Sequence, residues 1–242
     1  MSSASSPRRA PVPDAIAALH GGLVVSCQAG DKTNPLYGPE TMALMARAAE
    51  IGGAVALRVN GPDDTRAVMA ATSLPVLAIN KVDYPDSDVR ITPTVADTIA
   101  ILETGAPFIA LDGTNRPRPN GERLVDSVNA IHERGAYAFA DLATRDDLAG
   151  AIEAGVDAVG TTLSGYTAES ATDSDEPDLD LLAWLVTYSP VPVYAEGRYW
   201  TPEQAAAALE IGASFVVVGT AITNPMKITQ RFVTAIRRER GA

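Results

Sequence analysis

The sequence predicts an α/β fold, a single-domain (β/α)8 TIM barrel, on three observations. The chain has 242 residues, which is close to the typical length of one such barrel. Eight short runs rich in β-branched residues alternate strictly with eight segments of helical character. The runs are apolar almost throughout, as is typical of parallel strands buried on both faces. A doubly wound open sheet would also explain the alternation, although it would leave the number eight without a reason.

The predicted elements follow one another along the chain. The strands are predicted at 22–28, 54–58, 76–81, 108–112, 137–141, 158–162, 191–196 and 215–219. The helices are predicted at 40–51, 63–71, 95–103, 121–134, 145–154, 179–187, 202–211 and 225–238. Pro39 and Pro202 stand in first turns, and Thr201 is a predicted N-cap. A glycine follows five of the helices and is expected to end each one; these are Gly52, Gly105, Gly135, Gly155 and Gly212.

Composition indicates the domain organisation and the compartment. Residues 1–13, rich in small residues and proline, are predicted to be a disordered tail, and residues 14–242 the catalytic barrel. No apolar run reaches the roughly 18 residues that span a bilayer, and the N-terminus lacks the apolar stretch of a secretory signal. Cys27 is the only cysteine, so no intramolecular disulfide forms, which suits a cytoplasmic protein.

Charge constrains the partners of the chain. The formal net charge is −11, which argues against general nucleic-acid binding because that function needs a broad basic face. We likewise expect no membrane partner. An acidic protein can still bind a small phosphorylated molecule through backbone N–H groups and one or two arginines.

Polar or ionisable residues end nearly all of the predicted strands. Because the strands of a TIM barrel end at the catalytic mouth, these residues are expected to share one site. They are Gln28, Arg58, Lys81, Asp112, Asp141, the pair Thr161 and Thr162, Glu196, and Gly219. Charges held inside a fold are costly unless they are paired or used. A network of salt bridges that closes the barrel top is the structural alternative.

The loops after strands seven and eight predict a phosphate site. Gly197 and Arg198 follow the seventh strand, and Gly219 and Thr220 follow the eighth. These two loops commonly hold a substrate phosphate in this fold. Glycine lets the backbone approach the anion closely, and arginine adds a charge-assisted hydrogen bond.

Lys81 and Glu196 are the predicted catalytic pair. A lysine has an ordinary pKa of about 10.4, so a role as base needs that pKa to be lowered by burial or a nearby cation. Arg58, one strand away, is a candidate for that cation. Glu196 lies four strands from Lys81, on the opposite side of an eight-stranded ring. Two groups in this arrangement would reach one substrate carbon from both sides. Lys81 could instead form a Schiff base or act as a simple charge.

Neither a metal nor another cofactor is expected. His20 precedes the first strand and His132 lies on a predicted outer helix, so with Cys27 they do not make a ligand cluster. The longest irregular segment, 164–178, follows the sixth strand and would be a partial lid or a solvated insertion.

Five stretches of the chain are specific motifs: GGLVVSCQ at 21–28, RITPT at 90–94, DGTNRPRP at 112–119, GTTLSGYT at 160–167 and AEGRY at 195–199. Together they resemble the N-acetylmannosamine-6-phosphate 2-epimerase family, and the likeness runs from about residue 14 to about residue 238. The resemblance implies a metal-free (β/α)8 barrel that interconverts N-acetylmannosamine 6-phosphate and N-acetylglucosamine 6-phosphate. It also suggests a homodimer formed through the terminal helix.

The resemblance assigns roles to residues already found at the strand ends. It implies catalysis or substrate binding at Gln28, Arg58, Lys81, Asp141 and Glu196, and phosphate contacts around Gly197, Arg198, Gly219 and Thr220. One position departs from the family pattern of lysine, arginine and aspartate, because this chain has Val82 between Lys81 and Asp83. The departure leaves the lysine in place and concerns a loop or substrate contact.

The predicted reaction is epimerisation by proton transfer at C2, in amino-sugar and sialic-acid catabolism. In the open-chain sugar the C2 hydrogen is acidic because it is α to the C1 aldehyde. Lys81 would remove it, Gln28 and Arg58 are candidates to stabilise the enolate, and Asp141 would hold the lysine or a sugar hydroxyl. Two alternatives stay open: a Schiff-base sugar-phosphate aldolase that uses Lys81, and a barrel that binds sugar phosphates without catalysis.

Overall fold

The computed structural model of the protein describes residues 12–30 and 32–239, and for residues 238 and 239 it describes the backbone alone. The predicted disordered tail at 1–13 therefore lies outside the described residues, except for Val12 and Pro13.

Eight parallel strands form a closed barrel, which confirms the predicted fold. They are β1 (Gly22–Cys27), β2 (Ala56–Asn60), β3 (Val76–Ile79), β4 (Phe108–Asp112), β5 (Tyr137–Asp141), β6 (Ala158–Gly160), β7 (Val193–Glu196) and β8 (Phe215–Val218). Each strand pairs with the next in the chain, and β8 pairs with β1.

Helices connect the strands in the predicted order. They are α1 (Asp14–Ala17), α2 (Pro39–Ile51), α3 (Pro62–Ala71), α4 (Val95–Leu102), α5 (Leu124–Glu133), α6 (Asp147–Ala154), α7 (Leu179–Tyr188), α8 (Pro202–Ile211), α9 (Thr220–Thr223) and α10 (Pro225–Glu239). The short helices α1 and α9 were not predicted. The first precedes β1 and buries Ile16, and the second continues directly from the loop after β8.

The helix ends follow the predicted signals. Thr201 caps α8 by accepting a hydrogen bond from the N–H of Gln204. Gly155 and Gly212 end α6 and α8 in the left-handed conformation that favours glycine. Gly52 directly follows the last residue of α2, as predicted. It keeps a helical φ of −72°, and the following Gly53 has the positive φ, 93°.

Several strand boundaries differ from the prediction and change the position of site residues. Strands β1, β6 and β8 end at Cys27, Gly160 and Val218, so Gln28, the pair Thr161 and Thr162, and Gly219 follow their strands and do not end them. The second strand begins and ends two residues later than predicted, so Arg58 is its third residue and not its last. The third strand ends at Ile79. It stops there because Asn80 turns to exchange hydrogen bonds with Thr92, after which the N–H of Lys81 donates to Asn60 Oδ1 at 2.8 Å.

An aromatic layer fills the barrel interior below the mouth. Phe139 lies 5.3 Å from Phe108, 5.7 Å from Tyr194 and 6.2 Å from Phe215 between ring centroids, and the rings of Tyr194 and Phe215 stack at 5.3 Å. Small residues on neighbouring strands make room for these rings. A Cβ on Gly160 would stand 2.1 Å from the Tyr194 ring, so β6 has space for glycine alone at that position.

We therefore expect Gly160→Ala to destabilise the barrel. The stacked ring cannot move away, so overpacking should lower the free energy of unfolding by about 3 kcal/mol, the upper end of the usual range. Urea unfolding followed by circular dichroism measures it. Gly52→Ala is the matched control, because its helical φ suits alanine. Its added Cβ would stand 3.3 Å from the Ala48 and Ala49 carbonyl oxygens, so the change should cost much less than Gly160→Ala. Equal unfolding midpoints for the two variants would contradict this description of the core.

Candidate active site

Alternate residues of each strand point into the barrel, and on β1, β2, β4, β5 and β7 the last of them are polar. The register places Ser26 beside Arg58, Asp112 beside Asp141, and Glu196 beside Val217. Above the aromatic layer Ser26, Asp112, Glu196 and Val217 line a cavity of about 530 Å³ at the mouth. The predicted site residues on its wall are Gln28, Lys81, Glu196, Gly197, Arg198, Gly219 and Thr220. The structure thus brings the predicted catalytic pair and the predicted phosphate residues to one cavity.

Arg58 and Asp141 lie beneath this cavity and form a buried ion pair. Their side chains are 1% and 0% exposed. Arg58 Nη1 donates to Asp141 Oδ1 at 3.0 Å and Nη2 donates to Oδ2 at 2.5 Å. The Tyr194 hydroxyl donates to the same Oδ1 at 2.7 Å. The two residues lie behind Glu196 as seen from the cavity. Their direct contact with a substrate stays a prediction.

Glu196 is the upper member of this network. Its carboxylate accepts a hydrogen bond from Arg58 Nη1, and Thr162 Oγ1 lies 3.2 Å from its Oε2. Burial raises the pKa of Glu196 to about 7, and the neighbouring Arg58 guanidinium opposes that rise. A carboxyl with such a pKa exchanges its proton near neutral pH, as an acid–base catalyst must.

Lys81 faces the cavity from the loop that follows β3. Its Nζ donates to Gln28 Oε1 at 2.8 Å, and Gln28 Nε2 donates to Ser26 Oγ at 2.8 Å. Loss of solvation of the ammonium group by burial lowers the pKa of Lys81, and the Arg58 guanidinium lowers it further. The side chain remains reachable from the open mouth, since it lines the cavity. The lysine therefore has the lowered proton affinity that a base needs, as well as access to a bound molecule.

The predicted phosphate residues lie together on one side of the mouth. Gly197 has a φ of 109° and Arg198 a φ of 61°, so the chain turns sharply as it leaves β7. Gly219 packs against Ser26, where an added Cβ would stand 3.2 Å from the serine Cβ. The first N–H groups of α9, which begins at Thr220, have no acceptor within their own helix.

Two arginines on the opposite side of the cavity were missed by the sequence analysis. Arg116 Nη2 donates to Asp112 Oδ2 at 2.5 Å, and Arg90 pairs with Asp83. The strand-end rule pointed to Asp112, but Arg116 stands four residues later in a loop. Arg90 lies opposite Val82, whose N–H donates to the Arg90 carbonyl at 3.0 Å. A cation therefore stands across from the position where the family pattern has its arginine.

The described residues contain no group of three or more His, Cys, Asp and Glu side chains arranged to hold a metal ion. His132 pairs with Asp157 at 2.9 Å on a partly exposed surface. Burial raises the pKa of the Cys27 thiol to about 12, so Cys27 is not a nucleophile at neutral pH. Within the same residues, every helix is too short or too polar to cross a bilayer.

Comparison with known proteins places the chain in a family. Residues 42–238 match the family model described as "Putative N-acetylmannosamine-6-phosphate epimerase". Proteins named "Putative N-acetylmannosamine-6-phosphate 2-epimerase" include one from Clostridium perfringens (strain SM101 / Type A), which is 45% identical over 90% of this chain and 98% of its own. Another, from Caldanaerobacter subterraneus subsp. tengcongensis, is 44% identical over 94% and 96%.

A solved structure resembles the whole barrel. It is that of the N-acetylmannosamine-6-phosphate 2-epimerase from Clostridium perfringens, with a TM-score of 0.88 and 43% sequence identity. The match covers 91% of this chain and 95% of the other. The similarity therefore extends over the barrel that carries the site.

The buried ion pair leads to a prediction about stability. Asp141→Asn leaves the Arg58 guanidinium buried with half of its charge compensation removed, so the free energy of unfolding should fall by about 3–5 kcal/mol. Urea unfolding measures the change. Asp63→Asn is the control, because it breaks an exposed pair with Arg66 and should cost less than about 1 kcal/mol. Similar costs for the two variants would show that Arg58 does not depend on Asp141.

Proposed function

The chain belongs to the N-acetylmannosamine-6-phosphate epimerase family, and we propose that it interconverts N-acetylmannosamine 6-phosphate and N-acetylglucosamine 6-phosphate in amino-sugar and sialic-acid catabolism. One observation carries the assignment to a proton transfer. Lys81, in the loop after β3, and Glu196, at the end of β7, line the same cavity, and their pKa values are shifted toward each other. Pairs of groups tuned in this way are characteristic of acid–base sites.

The reaction begins from the open-chain sugar. Neutral Lys81 removes the C2 proton, which is acidic because C2 is adjacent to the C1 aldehyde. Negative charge then develops on O1. The new lysine ammonium and the neighbouring Gln28 amide are the candidates to stabilise it. Protonated Glu196 returns a proton to the other face of C2, which inverts that carbon. In the opposite direction the two groups exchange roles.

Arg58 and Asp141 support this reaction from below. The guanidinium fixes the Glu196 carboxylate and the aspartate fixes the guanidinium on both Nη atoms. Their positions suit the orientation of Glu196 and the lowering of the Lys81 pKa better than direct contact with the sugar.

The phosphate is assigned to Gly197, Arg198, Gly219 and Thr220. These residues lie at the end of the cavity formed by the loops after β7 and β8, where this fold commonly holds phosphate. Binding energy from the phosphate would hold C2 between the two catalytic groups, so the unphosphorylated sugar should be a poor substrate.

A homodimer formed through α10 and a cytoplasmic location complete the proposal. The helix packs against α9 and exposes Phe232, Val233 and Ile236. A second copy of the chain would bury these apolar side chains, which a monomer rarely leaves in water as one patch. The unpaired thiol of Cys27 suits a reducing compartment.

The first prediction of this assignment concerns Lys81. Lys81→Ala should lower turnover of N-acetylmannosamine 6-phosphate by about 10³-fold or more, because it removes the base. Lys81→Arg should be equally slow, since a guanidinium does not lose its proton near neutral pH. Proton NMR of the sugar measures turnover, and urea unfolding should show an unchanged fold. Wild-type rates in either variant, or a substrate adduct on Lys81 trapped by borohydride, would favour another mechanism.

The second prediction concerns pH. The pair is competent when it holds one proton. As the pH rises through about 7, Glu196 loses its proton and kcat/KM should rise. At a higher pH, still below the ordinary lysine pKa, Lys81 loses its proton and kcat/KM should fall again. The hydroxyl of Thr162 lowers the pKa of Glu196. Thr162→Val should therefore move the acid limb to higher pH. Thr187→Val removes only an exposed hydroxyl on α7 and should leave both limbs in place. An acid limb that does not move in Thr162→Val would remove Glu196 from the titration.

A further inference from the structure

Arg198 connects the predicted phosphate loop to the irregular segment 164–178. Its Nε donates to the Glu176 carbonyl at 2.6 Å and its Nη1 donates to the Ser164 carbonyl at 2.5 Å. One guanidinium thus binds both ends of the segment. The residue adopts a φ of 61°, which is uncommon for a residue other than glycine.

The segment closes tightly around this guanidinium. Gly165 has a φ of 83°, and an added Cβ would stand only 1.7 Å from Arg198 Nη1. The next residue, Tyr166, places its ring centroid 5.7 Å from Arg198 Cζ and lines the cavity. The Glu196 carboxylate also acts electrostatically on the Tyr166 hydroxyl. The segment therefore carries an aromatic side chain to the edge of the reacting centre.

Further contacts hold the far end of the segment. The Glu176 carboxylate accepts a hydrogen bond from Gln204 Nε2. The side-chain oxygen of Gln204 accepts in turn from the N–H groups of Trp200 at 2.7 Å and Thr201 at 3.0 Å. The segment is thus attached to the same stretch of chain that follows Gly197. A displacement of that stretch would therefore also displace the segment.

We propose that Arg198 is a positioning residue that couples occupancy of the phosphate site to the order of segment 164–178. A guanidinium has five N–H groups, and within the described part of the chain only one on Nε and one on Nη1 are used by the segment. The others are available to an anion at Gly197 and Gly219. A bound phosphate would hold the guanidinium in place, and the guanidinium would then hold Tyr166 over the cavity. The inference rests on the phosphate site of the proposed function.

Amide hydrogen exchange of the full chain tests this coupling, with inorganic phosphate as the probe. The segment offers its own reporters, such as the N–H of Gly165, bonded to Ser170 Oγ at 2.9 Å, and that of Tyr166, bonded to the Leu163 carbonyl at 3.0 Å. Without phosphate, Arg198→Ala should speed exchange in the segment by roughly tenfold and leave the barrel strands unchanged. Phosphate should slow exchange in the wild type and have no effect in the variant.

A second variant keeps the charge and displaces the contact. Gly165→Ala should push the guanidinium away and loosen the segment while Arg198 stays available to phosphate. Gly53→Ala is the control, since Gly53 also has a positive φ of 93° with no atom within 4 Å of the added Cβ, and it should leave the segment unchanged. A segment loosened equally by Gly53→Ala would overturn the contact.

The outcomes separate this inference from the proposed function. If Arg198→Ala raises KM for the phosphorylated sugar but leaves segment exchange unchanged, Arg198 is a phosphate ligand alone and the coupling is refuted. If the wild-type segment does not respond to phosphate, the coupling is likewise refuted. If the exchange results are as expected but the wild type lacks epimerase activity, the coupling is supported and the proposed function fails.

Discussion

The site depends on one buried cation, the Arg58 guanidinium, and on the two carboxylates that hold it. Asp141 binds both Nη atoms, and Glu196 binds one of them from above. A charge that is 1% exposed inside a barrel is costly unless opposite charges pair with it. Burial lowers the pKa of Lys81 and the Arg58 charge lowers it further, while the same charge opposes the rise that burial causes in the pKa of Glu196. One interaction thus stabilises the barrel top, orients one catalytic group and adjusts the proton affinity of both.

The packing below the cation explains why it sits at this height. Tyr194 belongs to the aromatic layer and also donates its hydroxyl to Asp141, so the apolar interior ends where the polar network begins. Gly160 beside the tyrosine ring keeps the layer narrow enough for the ring to stack. The cavity above therefore lies directly over this packed layer, and the segment that Arg198 holds stands at its rim.

Much of this arrangement could be predicted from the sequence, because alternation along a strand determines which residues face the barrel. Apolar strands that end in Lys81 and Glu196 indicate a polar mouth without further information. The depth of Arg58 could not be predicted, since it depends on a two-residue difference in where β2 begins and on the register with its neighbours. The contacts of Arg116 and Arg198 were also beyond the pattern, because both residues act from loops whose paths are determined by tertiary hydrogen bonds.

The central claim is that Lys81 and Glu196 move a proton at C2, and solvent isotope exchange tests it most directly. Wild-type enzyme that turns over N-acetylmannosamine 6-phosphate in heavy water should give N-acetylglucosamine 6-phosphate with deuterium at C2. The proton that Lys81 removes exchanges with solvent, and the proton that Glu196 returns to C2 also comes from solvent. Carbon and proton NMR of the product locates the label. Product formed at the normal rate without deuterium at C2 would contradict the roles assigned to both residues. C2 would then be inverted by breaking and re-forming a bond to another carbon, or by oxidation and reduction, and not by proton exchange.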